Sequence, residues 1–339
     1  MNFKPIRTVL VTGGLGFIGS HTAVSLINDG YKVVIIDNLH NSNINVHEKL
    51  ERLCKAKIDF YEVDIRDSDA LDSIFNSYSI DLVIHFAGVK SVLESIKKPI
   101  KYYSNNVFGT INLIKSMTKY NVKKIIFSSS ATVYGSECKS PCKEKYGRGK
   151  TTNPYGESKS MIEKILEDVS SSDEDWRIII LRYFNPAGAH ESGLIGENPN
   201  QIPNNLIPLI SDVTLEKSTH INIFGNDYDT EDGTCMRDFI HVMDLAEGHV
   251  SAIEHINKID SVEVFNLGTG KANTVMEVIE VFSEILNKNI PFKFVPRREG
   301  DIDIVYADIK KSKKLLNWHA KRNIRDIAES TLNFINSKL

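Results

Sequence analysis

Cysteine is scarce in this sequence, with only four among 339 residues. So few cysteines cannot supply the disulfide framework of a small secreted domain, and a reducing compartment is the simplest expectation. Cys138 and Cys142 are close enough in sequence to suggest half of a zinc site. No second Cys or His pair with zinc spacing accompanies them, so we predict no metal site.

Long apolar runs and an excess of either charge are also missing. No stretch approaches the roughly 18 apolar residues of a membrane span, and the apolar run near the N-terminus has only the length of a strand. The formal net charge is -3, which gives no electrostatic reason to expect nucleic acid or an anionic membrane as a partner. We therefore expect a cytoplasmic protein that binds neither.

Short β-branched runs alternate with longer amphipathic runs through the first half of the chain. The β-branched runs predict strands at 7–12, 32–37, 58–64, 81–87, 123–130 and 176–185. Nearly continuous apolar strands separated by helices are typical of a parallel sheet covered on both faces. We predict a doubly wound α/β fold of the Rossmann type, which binds its ligand beyond the carboxyl ends of the strands.

The pattern changes after Asn185. Gly, Pro and Asn become frequent through about residue 232, which predicts a smaller, loop-rich C-terminal domain. The predicted domains are residues 1–185 and 186–339. A helix is predicted at 238–253 and a strand at 262–270, and we expect 238–270 to pack back on the first domain.

A glycine-rich stretch, VTGGLGFIGS, follows the first predicted strand and opens a helix. Gly13, Gly16 and Gly19 have a spacing that allows backbone N–H groups to approach a pyrophosphate. The next strand ends in Asp37, whose carboxylate can accept both ribose hydroxyls of an adenosine and repels a 2′-phosphate. No arginine adjoins Asp37, so we predict NAD over NADP. A plain strand–helix turn is the alternative interpretation.

Other strand ends extend the expected path of the cofactor. Asp64 ends the third predicted strand and can meet the adenine amine, residues 86–90 end the fourth, and Asn105 lies on a long predicted helix. Taken alone, each of these residues is equally compatible with a structural role. The candidate cofactor-binding residues are Gly13, Gly16, Phe17, Ile18, Gly19, Asp37, Asn38, Asp64, Ile65, Phe86, Ala87, Lys90, Asn105, Ser128, Tyr155, Lys159 and Phe184.

Tyr155 and Lys159 are four residues apart at the predicted start of a helix, so their side chains share one face. A free tyrosine has a pKa of about 10 and is a poor base at neutral pH. A nearby ammonium, the positive nicotinamide ring of NAD+ and the helix N-terminus should all lower that pKa. Ser130 ends the fifth predicted strand and can relay a substrate proton to Tyr155. These three are the candidate catalytic residues, and chance spacing on a long helix is the alternative.

Together, these residues resemble a known family. The glycine loop, Asp37, Ser130, Tyr155 and Lys159 resemble the extended short-chain dehydrogenase/reductase family. Within that family the sequence is similar to the UDP-glucose 4-epimerases in the stretches DNLHNS, RYFNPAGAH, NNLIP, IFGNDYDTEDGTCMRDFIHVMDLAEGH, NLGTG and RREGD. The similarity runs nearly end to end, and the IFGNDY to RDFIHVMDLA block is far more specific than the glycine spacing.

The resemblance implies reversible epimerisation at C4 of UDP-hexoses on tightly bound NAD+. Tyr155 would take the proton from the sugar 4-hydroxyl while the C4 hydride passes to NAD+. The resulting 4-keto sugar would turn and receive the same hydride on its other face. Residues 1–185 would then be the NAD-binding domain and 186–339 the UDP-sugar-binding domain, and the family habit is a homodimer.

The resemblance also implies a set of UDP-sugar contacts. Arg237 and Arg298 match the family's diphosphate clamp, and a guanidinium fork suits phosphate oxygens. Phe224 matches the residue beside the uracil, and Asp301 the residue that holds a ribose hydroxyl. The candidate substrate-binding residues are Ser130, Tyr155, Asn185, Asn205, Leu206, Phe224, Arg237, Arg298, Asp301 and Val305.

Val305 occupies a position that affects the range of sugars. The family places a gate there, beside the sugar C2 group, which is bulky in some members and small in others. A small Val305 implies that UDP-N-acetylgalactosamine and UDP-N-acetylglucosamine enter the pocket as well. A valine that fills ordinary core is the alternative.

Two other functions fit parts of the sequence. A nucleotide-sugar dehydratase shares the glycine loop and the Tyr-x-x-x-Lys spacing, but it needs an acid pair where this sequence has Ala131 and Thr132. A dinucleotide sensor without turnover can dispense with Tyr155 and Lys159, and both are present. The loop at 136–152 is idiosyncratic and receives no predicted role.

Overall fold

A sheet of seven parallel strands forms the centre of the structure, a computed structural model that describes residues 5–199, 205–298 and 301–337. The strands of the described chain are β1 Thr8–Thr12, β2 Lys32–Asp37, β3 Asp59–Glu62, β4 Leu82–His85, β5 Lys124–Ser130, β6 Arg177–Tyr183, β7 Asn185–Ala187, β8 Ile221–Phe224, β9 Met236–Arg237, β10 Phe239–His241, β11 Val262–Leu267, β12 Asn273–Thr274, β13 Phe292–Val295 and β14 Ile304–Val305. The order across the central sheet is β11–β6–β5–β4–β1–β2–β3, and every neighbouring pair is parallel.

Helices connect the strands. The α-helices of the described chain are α1 Phe17–Asn28, α2 Asn45–Cys54, α3 Ser68–Ser77, α4 Val92–Lys97, α5 Pro99–Tyr102, α6 Gly109–Lys119, α7 Pro154–Ser172, α8 Leu206–Thr214, α9 Val242–Ile256, α10 Val275–Leu286, α11 Lys310–Leu315 and α12 Ile324–Asn336. A π-helical stretch, Tyr103–Phe108, joins α5 to α6. Within the described ranges, no helix has the combination of length and hydropathy that crossing a bilayer requires.

Both faces of the central sheet are buried. Along β1, Val9 and Val11 belong to the hydrophobic cluster on one face, whereas Leu10 belongs to the cluster on the other face. Helices α1, α2 and α9 contribute to the first cluster, and α3, α6 and α7 to the second. A strand buried on both faces needs apolar residues at every position, as the predicted strands have. The predicted doubly wound α/β fold is therefore confirmed.

Elements that follow residue 185 form a separate cluster and also extend the central sheet. Helices α8, α10 and α12 pack together with β8 around Ile210, Val278 and Ile327. Strand β11 pairs with β6, with Leu267 opposite Tyr183, and α9 packs against α1. The domain limits of 1–185 and 186–339 stay a prediction.

The predicted helix at 238–253 is wrong at its start. Residues Phe239–His241 form β10, which pairs in parallel with β7, and helix α9 begins only at Val242. The His241 imidazole accepts a hydrogen bond from the Met243 backbone N–H and so caps the helix. The pairing of β10 with a distant strand decides this boundary, and the local sequence does not show it.

Candidate active site

The candidate site lies at the carboxyl edge of the sheet, between β1 and β4. Strands β2 and β3 lie on one side of β1, and β4, β5 and β6 lie on the other. The strand order therefore reverses direction at β1, and such a topological switch point opens a crevice at the carboxyl ends of the strands. Gly13 begins the turn after β1 with φ of +67°, and its N–H donates to Ile36 O at 2.7 Å. Residues Phe17 and Ile18 form the first turn of α1, directly behind this crevice.

The three glycines have different reasons to lack a side chain. A Cβ on Gly13 would lie 2.7 Å from Ala87 N, and a Cβ on Gly19 would lie 2.3 Å from Gly13 O. For Gly16, the only described atom within 4 Å of an added Cβ is Gly13 O, at 3.2 Å. Gly13 and Gly19 thus allow close backbone packing, and Gly16 keeps an open cradle in which a pyrophosphate fits.

Asp37 closes one end of this cradle. Its carboxylate accepts the Leu15 N–H at 3.0 Å and the Ser42 hydroxyl at 2.7 Å. Asn38 donates to the Asp64 carboxylate at 2.9 Å, so two residues predicted from separate strand ends lie together. The Arg66 guanidinium holds the pKa of Asp64 well below its usual range, and the carboxylate is therefore an acceptor at neutral pH.

The remaining predicted cofactor residues line the other strand ends. Phe86 packs against His249 with ring centroids 4.9 Å apart and the ring planes tilted by 51°, and Ala87 packs on the glycine turn. Ile65 belongs to the hydrophobic core, so only its backbone can meet a ligand. Ser128 and Phe184 are buried near the ends of β5 and β6.

Lys90 and Asn105 lie in the connection between β4 and α6. The Lys90 ammonium pairs with Glu197 at 2.8 Å, a partner that the sequence did not predict. Asn105 is half-buried in the π-helical stretch. Its neighbour Asn106 is buried and holds the turn at 88–89, since its amide oxygen accepts the Val89 N–H at 2.9 Å. A cofactor contact by Asn105 stays a prediction.

Tyr155, Ser130 and Lys159 converge at the end of β5. Tyr155 lies in the first turn of α7, which Asn153 caps by accepting the Gly156 N–H at 2.9 Å. The Ser130 hydroxyl oxygen accepts the Thr132 hydroxyl at 2.9 Å, which leaves its own proton free to be donated. The Lys159 ammonium donates to Ser128 O at 2.7 Å and lies 4.8 Å from the centroid of the Phe127 ring.

The pKa of Tyr155 differs from the sequence prediction. Burial raises the pKa of this phenol, whereas hydrogen bonding to Ser130 and the charge of Lys90 lower it, and burial dominates. Burial also lowers the pKa of Lys159 to about 8. Lys90, rather than Lys159, is therefore the cation that lowers the pKa of the phenol in the protein alone, and the predicted lowering by bound NAD+ stays a prediction.

A buried ion pair beneath these residues escaped sequence analysis. Glu163, one helical turn after Lys159, is fully buried and accepts two hydrogen bonds from Arg182, at 3.0 and 2.7 Å. Ser129 donates to the same carboxylate at 2.5 Å. The Glu163 charge raises the pKa of Lys159 and so offsets part of the lowering that burial causes. In sequence, a Glu and an Arg more often indicate a solvated surface.

The guanidinium of Arg298 lies over the ring of Phe224, and both residues belong to the part of the chain after residue 185. Phe224 ends β8, and the Arg298 guanidinium carbon lies 3.9 Å from its ring centroid. Arg298 Nε is buried and finds no hydrogen-bond partner among the residues that the structure describes. A buried donor without a partner is costly, and a phosphate or carboxylate oxygen would satisfy it.

Arg237, Asp301 and Val305 meet through the pairing of β9 with β14. Val305 lies opposite Arg237 in this parallel pair, and Arg237 approaches the Asp301 carboxylate at 3.5 Å. Asn185 starts β7 and donates its backbone N–H to Asp238 O at 2.9 Å. The structure thus brings four predicted substrate residues from distant parts of the chain close to one another.

Asn205 and Leu206 begin helix α8. Asn205 is the exposed N-cap residue, and Leu206 is the first helical residue. Their predicted neighbours in the NNLIP stretch include Asn204, which lies outside the described residues. Contacts of Asn205 and Leu206 with a ligand stay a prediction.

A comparison with family models identifies the family of the chain. The model described as the NAD dependent epimerase/dehydratase family matches residues 9–268. The chain belongs to this family. The match spans the glycine cradle, the Tyr155 cluster and Arg237, and it ends at the glycine that follows β11.

Members of the epimerase/dehydratase family resemble this chain along almost its full length. The UDP-glucose 4-epimerase of Yersinia enterocolitica is 51% identical over 95% of either chain, and that of Bacillus subtilis (strain 168) is 49% identical over 94% of either chain. A crystal structure of UDP-glucose 4-epimerase from Bifidobacterium longum, in complex with NAD+ and UDP, superposes with a TM-score of 0.94 at 49% identity and covers 98% of both chains.

Proposed function

We propose that this protein interconverts UDP-galactose and UDP-glucose by inverting C4 of the sugar on tightly bound NAD+. The observation that carries the proposal is the convergence of Tyr155 and Ser130 with an open glycine cradle at one edge of the sheet. The relatives that match over nearly the full length are named UDP-glucose 4-epimerases. Asp37 and the cradle hold the cofactor, which is NAD since a carboxylate repels the 2′-phosphate of NADP.

Tyr155 is the group that moves the proton. When bound, NAD+ supplies the hydride acceptor for C4 and a positive charge that favours the phenolate. The Ser130 hydroxyl donates a hydrogen bond to the phenol oxygen. Tyr155 accepts the proton that leaves the sugar 4-hydroxyl. The same phenol returns a proton to the 4-keto oxygen, because one group can serve as base and then as acid.

Lys159 and the UDP contacts orient the reaction. The hydrogen bond from Lys159 to Ser128 O fixes the ammonium near the end of β5, where it would hold a ribose hydroxyl of the cofactor. Arg237 and Arg298 bind the diphosphate, and Phe224 lies beside the uracil. A firmly held nucleotide lets the 4-keto sugar turn about its phosphate link without leaving the site.

Val305 sets the range of sugars in this proposal. It is half-buried beside Arg237, and a valine at the gate leaves room next to the sugar C2 group. The site therefore accepts UDP-N-acetylhexosamines in addition to UDP-galactose and UDP-glucose.

The protein acts as a homodimer in the cytoplasm. An apolar helical face, made by exposed side chains on α4, α5, the π-helical stretch and α7, supports the homodimer. Its residues are Val92, Leu93, Ile96, Ile100, Phe108 and Met161. Contiguous exposed apolar surface marks interaction sites, and cyclic homodimers are the commonest symmetric assembly. Four free cysteines agree with a reducing compartment.

UDP-galactose carrying deuterium at C4 tests the proposed reaction. Incubation without added cofactor should yield UDP-glucose that keeps the label at C4, since the same hydride is removed and returned. Loss of the label to water, or a requirement for added NAD+ in stoichiometric amounts, would contradict the proposal. A 4-keto-6-deoxy product would instead identify a dehydratase, and unchanged substrate would favour a sensor.

A further inference from the structure

Cys138 and Cys142 form a thiol pair on the loop that precedes α7. Their sulfur atoms lie 2.8 Å apart, and both thiols are free. A disulfide needs a sulfur–sulfur distance of about 2.05 Å, so a small approach of the two side chains suffices. We propose that this pair is a reversible dithiol–disulfide site, oxidised by small-molecule disulfides such as glutathione disulfide.

The two cysteines differ in access and in acidity. Cys138 is partly exposed, whereas Cys142 is only 1% exposed. Hydrogen bonding between the sulfurs lowers the pKa of Cys138 and raises that of Cys142, and the charge of Arg182 also lowers the pKa of Cys138. Thiolates are the nucleophiles in thiol–disulfide exchange, so Cys138 attacks first and Cys142 resolves.

The exchange balances in two steps. The Cys138 thiolate bonds to one sulfur of glutathione disulfide while that S–S bond breaks and one glutathione thiolate leaves. Cys142 no longer faces a thiolate, so its pKa falls; it then loses its proton and attacks the Cys138 sulfur, which expels the second glutathione thiolate. Two protein thiols are oxidised, one disulfide is reduced to two thiols, and their protons end on the departing sulfurs.

The pair lies against the chain segment that follows Val305. The Cys142 N–H donates to Tyr306 O at 2.8 Å, and Cys142 O accepts the Asp308 N–H at 2.8 Å. Cys142 is buried with Phe184, and Val305 packs against the same small cluster. Oxidation therefore changes the support of the sugar pocket, a consequence that rests on the proposed function.

Intact-mass and peptide analysis of the full-length protein tests the site without any assay of activity. The reduced protein is equilibrated with glutathione redox buffers, quenched with acid and alkylated. We expect loss of two hydrogens, confined to the 138–142 peptide, and recovery on reduction. Cys138→Ser and Cys142→Ser should lack this species, whereas Cys54→Ser should keep it. Stable glutathione adducts alone, or four free thiols at excess glutathione disulfide, would overturn the proposal.

Kinetics of the oxidised and reduced proteins test the link to the pocket. The KM for UDP-galactose should rise severalfold on oxidation with little change in kcat, and Cys138→Ser should be insensitive to the oxidant. An unchanged KM in protein shown by mass to be oxidised would overturn the link. The mass shift does not depend on turnover. An inactive enzyme would therefore contradict the proposed function without affecting the evidence for the disulfide.

Discussion

Tyr155 is subject to opposing electrostatic effects. Burial raises the pKa of its phenol, and Ser130 and Lys90 lower it. In the proposed mechanism, the positive charge of bound NAD+ is a further influence that would favour the phenolate. Proton transfer by Tyr155 in that mechanism would then depend on cofactor occupancy, which suits a reaction that ends with the cofactor unchanged.

Replacing Tyr155 by Phe tests this role. The phenyl ring keeps the packing but cannot exchange a proton, so kcat for UDP-galactose should fall at least about a hundredfold, as expected for loss of general acid–base catalysis. Stopped assays of UDP-glucose formation give the measurement. Tyr146→Phe, at an exposed tyrosine on the loop before α7, is the control and should retain full activity. Near-normal turnover by Tyr155→Phe would refute the base assignment.

Val305→Tyr tests the gate. A phenol at this position fills the space beside the sugar C2 group, so turnover of UDP-N-acetylgalactosamine should disappear while UDP-galactose turnover persists. Parallel kcat/KM measurements on the two substrates decide the matter, with Val305→Ala as the control that should keep both activities. Equal loss of the two activities in Val305→Tyr would mean that Val305 merely fills core.

Sequence analysis nominated candidate reacting residues but missed the buried residues that contact them. Tyr155 and Lys159 have a spacing with a chemical meaning, so the sequence alone nominates them. Glu163 has no such signal, because its burial depends on α7 packing against β6. Asn106 is likewise indistinguishable from Asn105 until the helix is placed, when it proves to be the one that holds the turn at 88–89.

At the scale of elements, the strands were the most predictable part. The six strands predicted in the first half of the chain are confirmed with bounds that differ by no more than two residues, because continuous β-branched runs are needed for two buried faces. In contrast, the pairs β9–β14 and β7–β10 join short segments far apart in sequence. Two- and three-residue strands have no periodicity to detect, so only the resemblance to a family placed their residues in one site.

Helix α7 offers a matched comparison of a buried and an exposed ion pair. Glu163 and Arg182 are almost completely buried, whereas the Lys164–Asp168 pair on the same helix is more than half exposed. Glu163→Gln leaves the Arg182 charge unpaired in the interior and should lower the free energy of unfolding by about 3–5 kcal/mol. Asp168→Asn should lower it by less than about 1 kcal/mol.

Urea unfolding followed by the fluorescence of buried Trp176 provides the measurement. The order of the two variants is the decisive result. Similar losses in Glu163→Gln and Asp168→Asn would show that the buried pair is compensated by solvent or by its neighbours, and that the contacts of Glu163 do not hold α7 on the sheet.

At the scale of the whole molecule, the site is assembled from both parts of the chain. The cradle follows β1 and Tyr155 lies on α7, whereas Phe224, Arg237 and Arg298 come from segments after residue 185. The apolar helical face includes Met161 of α7, the helix that carries Tyr155. A partner on that face would therefore brace the catalytic helix without supplying a residue to the reaction.

Ile100→Glu tests the proposed homodimer. Ile100 is 76% exposed, which is unusual for an isoleucine and costs free energy unless a partner covers it. A glutamate there would be desolvated in a symmetric interface and would lie near its own copy, so the variant should elute as a monomer in light-scattering chromatography while the wild type elutes as a dimer. Leu315→Glu, on α11 outside the apolar helical face, should remain dimeric. A monomeric wild type, or a dimeric Ile100→Glu, would show that this face is not the interface.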